Sequence, residues 1–373
     1  CSPSVIFHMR RVLRSEICNL FTTGMVKVQE LTKKQNKMGL KVTKGFLLTA
    51  MLLLSAGLYA QDLFPVRVDR KYGYIDNKGN LKIAADFEKG YDFSEGLARI
   101  EKDGKIGFIN TSGTIVIEPQ FGRATDFSEG MAAARKDGQW TYIDKTGKQL
   151  FTVKCEYAYS FSEGLARVQI DRKLGYINNK GEIVIKATWS GGYNFHEGLA
   201  RVRKNGKWGF INKSGELVIP NKYDYAWDFH EGMSNVRIGS EKDGKWGFIN
   251  KKGEEVIPLH YDRTWHFNDG LALVRIGGVR EGKFGYINQK DEFVINPTFD
   301  GGFNFNEGLA NVAIMQNREL RWGYINKEGK IVITRQFQYP SDFQNGLARV
   351  KFGDGPDAKE GYINTSGEFV WTR

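Results

Sequence analysis

Two glycines recur along this chain in step with each other, and that recurrence restricts the fold more than any local pattern does. The first stands at Gly73, Gly107, Gly175, Gly209, Gly247, Gly285, Gly323 and Gly361, with Thr141 in the one slot it misses. The second stands at Gly96, Gly130, Gly164, Gly198, Gly232, Gly270, Gly308 and Gly346. Successive copies lie 34 residues apart for four steps and 38 apart thereafter. Self-similarity at a period of about 20–50 residues marks a repeat architecture, in which each unit buries its apolar face on its neighbours. Nine such units account for the chain from residue 63 to its end.

The fifth unit shows how each one folds. Leu199 to Arg203 reads as a strand, and Asn205-Gly206 is a two-residue hairpin turn of the kind that needs positive φ at both positions. Trp208 to Ile211 is the return strand. Asn212-Lys213-Ser214-Gly215 then has the turn-favouring Asn first and the left-handed Gly fourth that a type I turn with a bulge requires, and Glu216 to Ile219 is the third strand. In the seventh unit Asp291 takes the Gly slot, a residue that tolerates the left-handed region. After the third strand come Tyr223, Trp227 and Phe229. The Tyr223 column is aromatic except at Cys155, and the Phe229 column is Phe throughout. Small residues between them, such as Ala226, Thr264 and Gly302, predict a bend before the chain turns at Phe-x-x-Gly into the next unit. Each unit is therefore expected to be a three-stranded meander with an aromatic return and no helix.

A meander of 34 residues is below the length of about 40 at which chains fold unaided, so the units must pack on one another. The expected fold is an all-β tandem array of nine units, with an open β-solenoid favoured over a closed propeller. The chain starts with a first strand and stops with a third, Phe369-Val370-Trp371, so the strand offset that closes many propellers is missing.

These units resemble the bacterial WG repeat, through Trp208-Gly209, Trp246-Gly247 and Trp322-Gly323, the turn followed by Val-Ile-Pro, and the Phe-x-Glu-Gly-Leu-Ala run. The resemblance covers residues 63–373 and implies a β-rich, often exported repeat protein without a common enzymatic activity. It carries no catalytic residue onto this chain.

The segment before the repeats reads as targeting sequence. Met38 opens a short basic stretch followed by a thirteen-residue apolar run, residues 46–58, and then Tyr59-Ala60-Gln61. That run suits a signal peptide and falls short of the roughly 20 residues that span a bilayer. Residues 38–60 are accordingly expected to be a signal peptide cleaved after Ala60, residues 1–37 upstream translated sequence, and residues 61–373 the repeat array. The protein is then periplasmic, on the outer surface or secreted, with no membrane span after cleavage. The formal charge of +11 suggests a nucleic-acid binder until it is located. Residues 1–60 carry nine Lys or Arg against two Glu, a net of +7, so the repeats carry only +4 and offer no footprint for phosphate. Nucleic acid is not expected as a partner. Cys155 is the one thiol beyond residue 60, so packing rather than a disulfide must hold the array.

The four extra residues of the later units fall in the first hairpin: Arg237 to Lys245, Arg275 to Lys283, Ala313 to Arg321 and Lys351 to Lys359. Because four is even, the strands can lengthen by two residues each with no side chain changing face. Insertions in repeats project from one face, which makes these loops, with Lys242, Asp243, Arg280 and Arg318, a candidate binding rim. The column Tyr91, Tyr159, Tyr193, Trp227, Trp265 and Phe303 reads either as core or as a ladder on which sugars stack. The acidic column from Glu95 to Glu307 suggests a row of carboxylates, but a Glu before a positive-φ Gly is most simply bonded to turn N–H groups or solvated. His196 and His230 share a turn slot that Ser and Asn fill elsewhere. No phosphate loop, zinc spacing or triad stands out, so no catalytic residue, metal or cofactor is expected. The expected function is a non-enzymatic scaffold for a protein or cell-envelope component, with carbohydrate binding through exposed aromatic columns as the alternative.

Overall fold

A computed structural model describes residues 62–338, 340–353 and 358–373, which belong to one compact unit, Gln61–Arg373. The expected leader, residues 1–37 and 38–60, lies outside the described residues. The fold is all-β and built from repeated antiparallel sheets: one of three strands, six of four, and a last sheet of seven in which two units are joined by the single pair Phe337↔Phe352.

The local turns form as the sequence dictates. In the fifth unit Leu199–Lys204 pairs with Lys207–Asn212 through Val202↔Gly209, and Asn205 and Gly206 take φ of 50° and 80°. Leu217–Tyr223 follows after a turn in which the Asn212 side-chain oxygen accepts the N–H groups of Ser214 (3.1 Å) and Glu216 (3.0 Å). Asp291 takes φ 66° in its Gly slot.

The aromatic return behaves differently from the expectation. Tyr225-Ala226 does not close its own unit; it pairs with the first strand of the next, Tyr225↔Arg237 and Ala226↔Val236. Four-stranded sheets therefore combine three strands of one unit with a short strand from the preceding return. The turn that joins them, such as Glu231-Gly232 with φ 52° and 82°, is itself a two-residue hairpin.

The glycine of the Trp-Gly pair is required by a bulge in the third strand. Trp208 pairs with Tyr223 and Phe210 with Ile219, so two extra residues sit opposite Gly209. A Cβ there would lie 2.4 Å from the Ile219 carbonyl oxygen and 2.7 Å from the Asn221 nitrogen. Thr141 escapes this constraint because its sheet has no such bulge: Trp140↔Val153, Thr141↔Thr152 and Tyr142↔Phe151 run in step. The Thr141 hydroxyl donates to the Phe151 carbonyl at 2.9 Å. The same pairing puts Val153, not Cys155, in the slot facing Trp140.

Three of the four lengthened hairpins also depart from the expectation. Ile238↔Lys245, Ile276↔Lys283 and Phe352↔Lys359 close the strands at their old length, so the added residues widen the loop. In the seventh unit they form a one-turn helix, Gly278–Glu281, where no helix was expected. Only in the eighth do the strands lengthen, to Gln316↔Glu319. Side-chain phase survives in every case, since Val236↔Gly247, Val274↔Gly285, Val312↔Gly323 and Val350↔Gly361 keep the original register.

Apolar clusters lie between sheets. Phe210, Ile219 and Tyr223 of one sheet enclose Phe229, at the end of the return, and Val236 and Ile249 of the following sheet, and Phe229 meets Phe210 edge-on at 4.9 Å. The first and last sheets share a cluster too: Phe64, Val66 and Ile75 pack with Leu347 and Tyr362.

Candidate functional site: an aromatic and cationic cavity

The Phe-x-x-Gly turns carry the acidic column, and its chemistry is structural. Each carboxylate accepts the Gly N–H of the next turn: Glu95 from Gly130 (3.0 Å), Glu129 from Gly164 (2.9 Å), Glu163 from Gly198 (2.9 Å), Glu197 from Gly232 (3.0 Å), and so on to Glu307 from Gly346 (2.9 Å). The expectation of turn N–H partners is right, but the partners belong to the neighbouring unit. Burial would raise the Glu197 carboxyl; the Lys251 ammonium at 3.0 Å and the Gly232 N–H outweigh it, and the group sits below its usual range. His196, His230 and His266 stack across three units, at 5.8 and 4.2 Å between ring centres. Burial, then its neighbour His230, holds His266 down to about 4. Among the described residues no group of three or more His, Cys, Asp or Glu is placed to hold a metal ion.

The aromatic column is interleaved with arginines from the first strands. The guanidinium carbons of Arg99, Arg167 and Arg201 lie 4.1, 3.7 and 3.5 Å from the ring centres of Tyr91, Tyr159 and Tyr193, close enough for strong cation–π contact. Arg201 is 2% exposed and paired with Asp228 at 2.9 Å. Tyr193 is thus half-open to solvent at 38% exposure, yet a guanidinium covers its ring. The arginine slot becomes Asn235, Leu273 and Asn311 in the next three units, so the ladder ends at Trp227, which Arg201 approaches at 5.2 Å.

At that end lies a cavity of about 570 Å³, bordered by Trp227, Tyr225 and Trp246 and by Arg237, Arg263 and Arg275. Glu241 and Lys242 of the first lengthened hairpin complete its rim, with Asp262. Tyr225 stands 5.5 Å from Trp227 and 5.8 Å from Trp246, the rings inclined at 56° and 55°. Asp262 is already engaged: one oxygen accepts the Lys245 ammonium at 2.6 Å and the other the Gly278 N–H at 2.7 Å.

Two of the residues singled out from sequence, Trp227 and Lys242, therefore meet in one cavity. The others do not join them. Trp265 packs against the next core cluster beside Phe284, and Phe303, 43% exposed, leans on Trp322 at 5.3 Å. Asp243 stays in its hairpin tip, its N–H donating to the Ser240 hydroxyl at 3.0 Å, and Arg318 occupies an exposed turn. Arg280 belongs to the one-turn helix, and its side chain lies outside the described residues. Sequence reasoning missed Tyr225 and Arg263, and reached Arg237 and Arg275 only as the first residues of the lengthened hairpins. The signal available was the slot shared by Arg203, Arg237 and Arg275, which reads as ordinary strand surface until the cross-strand partner is known.

A second cavity, of about 550 Å³, draws Tyr72 from the first sheet, Tyr91 and Asp92 from the second, and Asp342, Arg349 and Tyr362 from the chain that forms the last. Burial pushes the Asp92 and Asp342 carboxyls above their usual range; nearby Asp126 adds to the first, and an Asn311 hydrogen bond tempers the second.

The family described as WG containing repeat matches the chain eight times, over residues 72–105, 106–140, 140–173, 175–208, 208–241, 246–279, 284–314 and 322–355. Comparison with the curated proteins gives no match. Among solved structures the chain is similar in fold to a eukaryotic initiation factor, with 11% identity, a TM-score of 0.62, and coverage of 84% of this chain and 96% of that one. A quinonprotein alcohol dehydrogenase-like protein from Bacteroides thetaiotaomicron matches at 12% identity and a TM-score of 0.36, covering 74% of this chain and 80% of that one.

Proposed function

Because the chain belongs to the WG containing repeat family, whose units here pack sheet on sheet, we propose that it is an exported, non-enzymatic scaffold holding a protein or cell-envelope component. The observation that carries this reading is the meeting of Trp227 with Lys242, where the aromatic column reaches the first lengthened hairpin. Replacing residues 239–244 by the two-residue Asn-Gly turn of the fifth unit tests it. Crosslinking in native envelopes should lose the partner captured by the parent chain, while the far-ultraviolet spectrum stays unchanged. Unaltered capture would remove the rim from the reading.

The nine units are read as a closed ring in place of the open array that the sequence favours. Support comes from the terminal sheets. Where the second strand carries a tyrosine in this slot, at Tyr74, Tyr142, Tyr176, Tyr286 and Tyr324, its hydroxyl donates to a carbonyl 17 residues on, as Tyr142 does to Tyr159 (2.7 Å) and Tyr324 to Ser341 (2.8 Å). Tyr362, in the last sheet, donates to the Pro65 carbonyl of the first at 3.0 Å. Gly79 likewise abuts Val370 as Gly113 abuts Ile83. A compact chain of this length has a radius of gyration of about 20 Å. An open row of nine sheets about 10 Å apart would be about 90 Å long. Solution scattering near the first value supports the ring, and an elongated profile restores the open array.

A carbohydrate ligand is the second reading, favoured by the 37% exposure of Trp227 at the mouth of the cavity. Titration with glycans should quench tryptophan fluorescence, and the quench should vanish in Trp227→Ala. Export rests on residues 38–60. N-terminal sequencing of chain secreted from a start at Met38 should begin at Gln61.

A further inference from the structure

The cavity at the end of the arginine ladder has an electrostatic character that a neutral sugar site does not need. Its lining brings four cationic side chains, Arg237, Arg263, Arg275 and Lys242, against two acids, Glu241 and Asp262. Asp262 is engaged by Lys245 and by the Gly278 N–H, and Glu241 is exposed on the hairpin. Arg263 and Arg275 are direct cross-strand partners, an arrangement in which like charges repel. The Nε groups of Arg237 and Arg275 are buried without a hydrogen-bond partner. A buried charged donor left unmatched is costly, and an anion in the cavity would offset that cost through its charge, since the Nε atoms themselves are covered. Burial, with Arg263 beside it, lowers the affinity of Arg275 for its own proton, although Asp262 opposes this.

The apolar side of the cavity narrows the ligand further. Its volume of about 570 Å³ falls in the range of about 300–1,000 Å³ typical of small-molecule sites. Tyr225 stands inclined at more than 50° to both tryptophans, so it pairs with neither as parallel walls around a planar base. Inclined rings suit a puckered ring that lays one C–H face on Trp227. Planar guanidinium forks bind a carboxylate through two parallel hydrogen bonds, as they bind a phosphate, so the puckered-ring fit to the aromatic wall is what selects a sugar acid over a nucleotide. We propose that this cavity binds an acidic saccharide, with a pyranose face on Trp227 and Tyr225 and the sugar carboxylate on Arg237 and Arg275. The inference rests on the carbohydrate reading of the same cavity and adds charge to it.

The test is calorimetric titration of the chain with an oligogalacturonate, the matching neutral galactose oligomer and ATP. Binding of the acidic oligomer alone, weakened by added salt and by about tenfold in Arg275→Gln, is the expected result. Arg237→Gln serves as the second variant, and unchanged melting temperatures establish that both remain folded. Equal binding of the acidic and neutral oligomers would leave the carbohydrate reading standing and overturn the charge recognition. Binding of ATP without either oligomer, or of no probe at all, would overturn both. Undiminished affinity for oligogalacturonate in both arginine variants would also overturn the proposal.

Discussion

Alanine at two positions of one repeat column should destabilise for different reasons and by different amounts, and the geometry fixes the difference. In Gly209→Ala the new Cβ would lie 2.4 Å from the Ile219 oxygen, 2.7 Å from the Asn221 nitrogen and 2.8 Å from the Pro220 carbonyl carbon. All three are backbone atoms, so no rotamer change relieves the contact and the bulge must shift. Overpacking of this kind costs about 1–3 kcal/mol, and three rigid neighbours place Gly209→Ala near the upper end, about 3 kcal/mol. In Thr141→Ala no backbone must move. What is lost is the hydroxyl bond to the Phe151 carbonyl from a residue that is 7% exposed, about 1 kcal/mol. Urea melts of the parent and both variants measure the difference. Hydrogen exchange over residues 207–223 guards against unit-by-unit melting, which repeat arrays permit. A cost for Gly209→Ala within about 0.5 kcal/mol of zero, or a larger cost for Thr141→Ala, would refute the bulge as the reason for the glycine column.

Four further outcomes are expected. Phe229→Ala should cost about 3–5 kcal/mol and loosen both adjoining sheets, because the ring is 1% exposed between them; urea melts with matched exchange on residues 207–223 and 233–250 report it. Glu95 and Glu197 hold their carboxyls below the ordinary 4.5. Their stabilisation is therefore whole above that pH and lost as pH falls through the lower folded values. Glu197→Gln should flatten that part of an acid-denaturation curve, and an unchanged curve would exclude the turn chain as its source. Burial, reinforced by Glu156, pushes the Cys155 thiol up to about 11, so its alkylation at neutral pH should be much slower than in the urea-unfolded chain. Tyr362→Phe should destabilise the contact of the first and last sheets by about 1 kcal/mol, as Tyr324→Phe should an internal one; no effect from the first with a normal effect from the second would place the terminal sheets apart in solution.

What was legible in the sequence is what a backbone conformation demands of one residue. Asn205-Gly206, the Asn212-to-Gly215 turn and Asp291 could be placed because few residues accept positive φ. The partner of the return segment was not legible, because in a periodic text Tyr225-Ala226 follows one unit and precedes the next with equal justification. Only pairing with Arg237 and Val236 decides between them. The meeting of Tyr362 with Pro65 leaves no local trace at all, since 297 residues separate the partners. The carboxylate row was legible as turn chemistry from the Gly beside each Glu, while its reach into the neighbouring unit was not. The cavity was half legible. Trp227 and Lys242 drew attention as an aromatic and as an insertion, but Arg237 and Arg275 gain their meaning from Tyr225 and Arg263 across the strand pair.

The change of period from 34 to 38 acquires a physical content when set beside the ladder. Through the fifth unit an arginine such as Arg201 can lie buried between two column rings, ion-paired with Asp228 and donating to the Ala226 carbonyl of the next sheet. At the sixth unit Asn235 replaces it, with its side-chain amide bonded to Thr264. The same unit is the first to carry a widened hairpin, whose Glu241 and Lys242 stand over Tyr225 and Trp227. Loss of the intercalated guanidinium and gain of the overhanging loop thus fall on one boundary. Either alone would leave a flat surface or a covered ring; together they leave an aromatic wall with arginines beside it and room in front. A chain in which the fifth unit's two-residue turn replaced residues 239–244 would keep Trp227 and Arg275 but lose the overhang. Its affinity for the acidic oligomer should fall by less than in Arg275→Gln, because the loop encloses the ligand while the guanidinium bonds it.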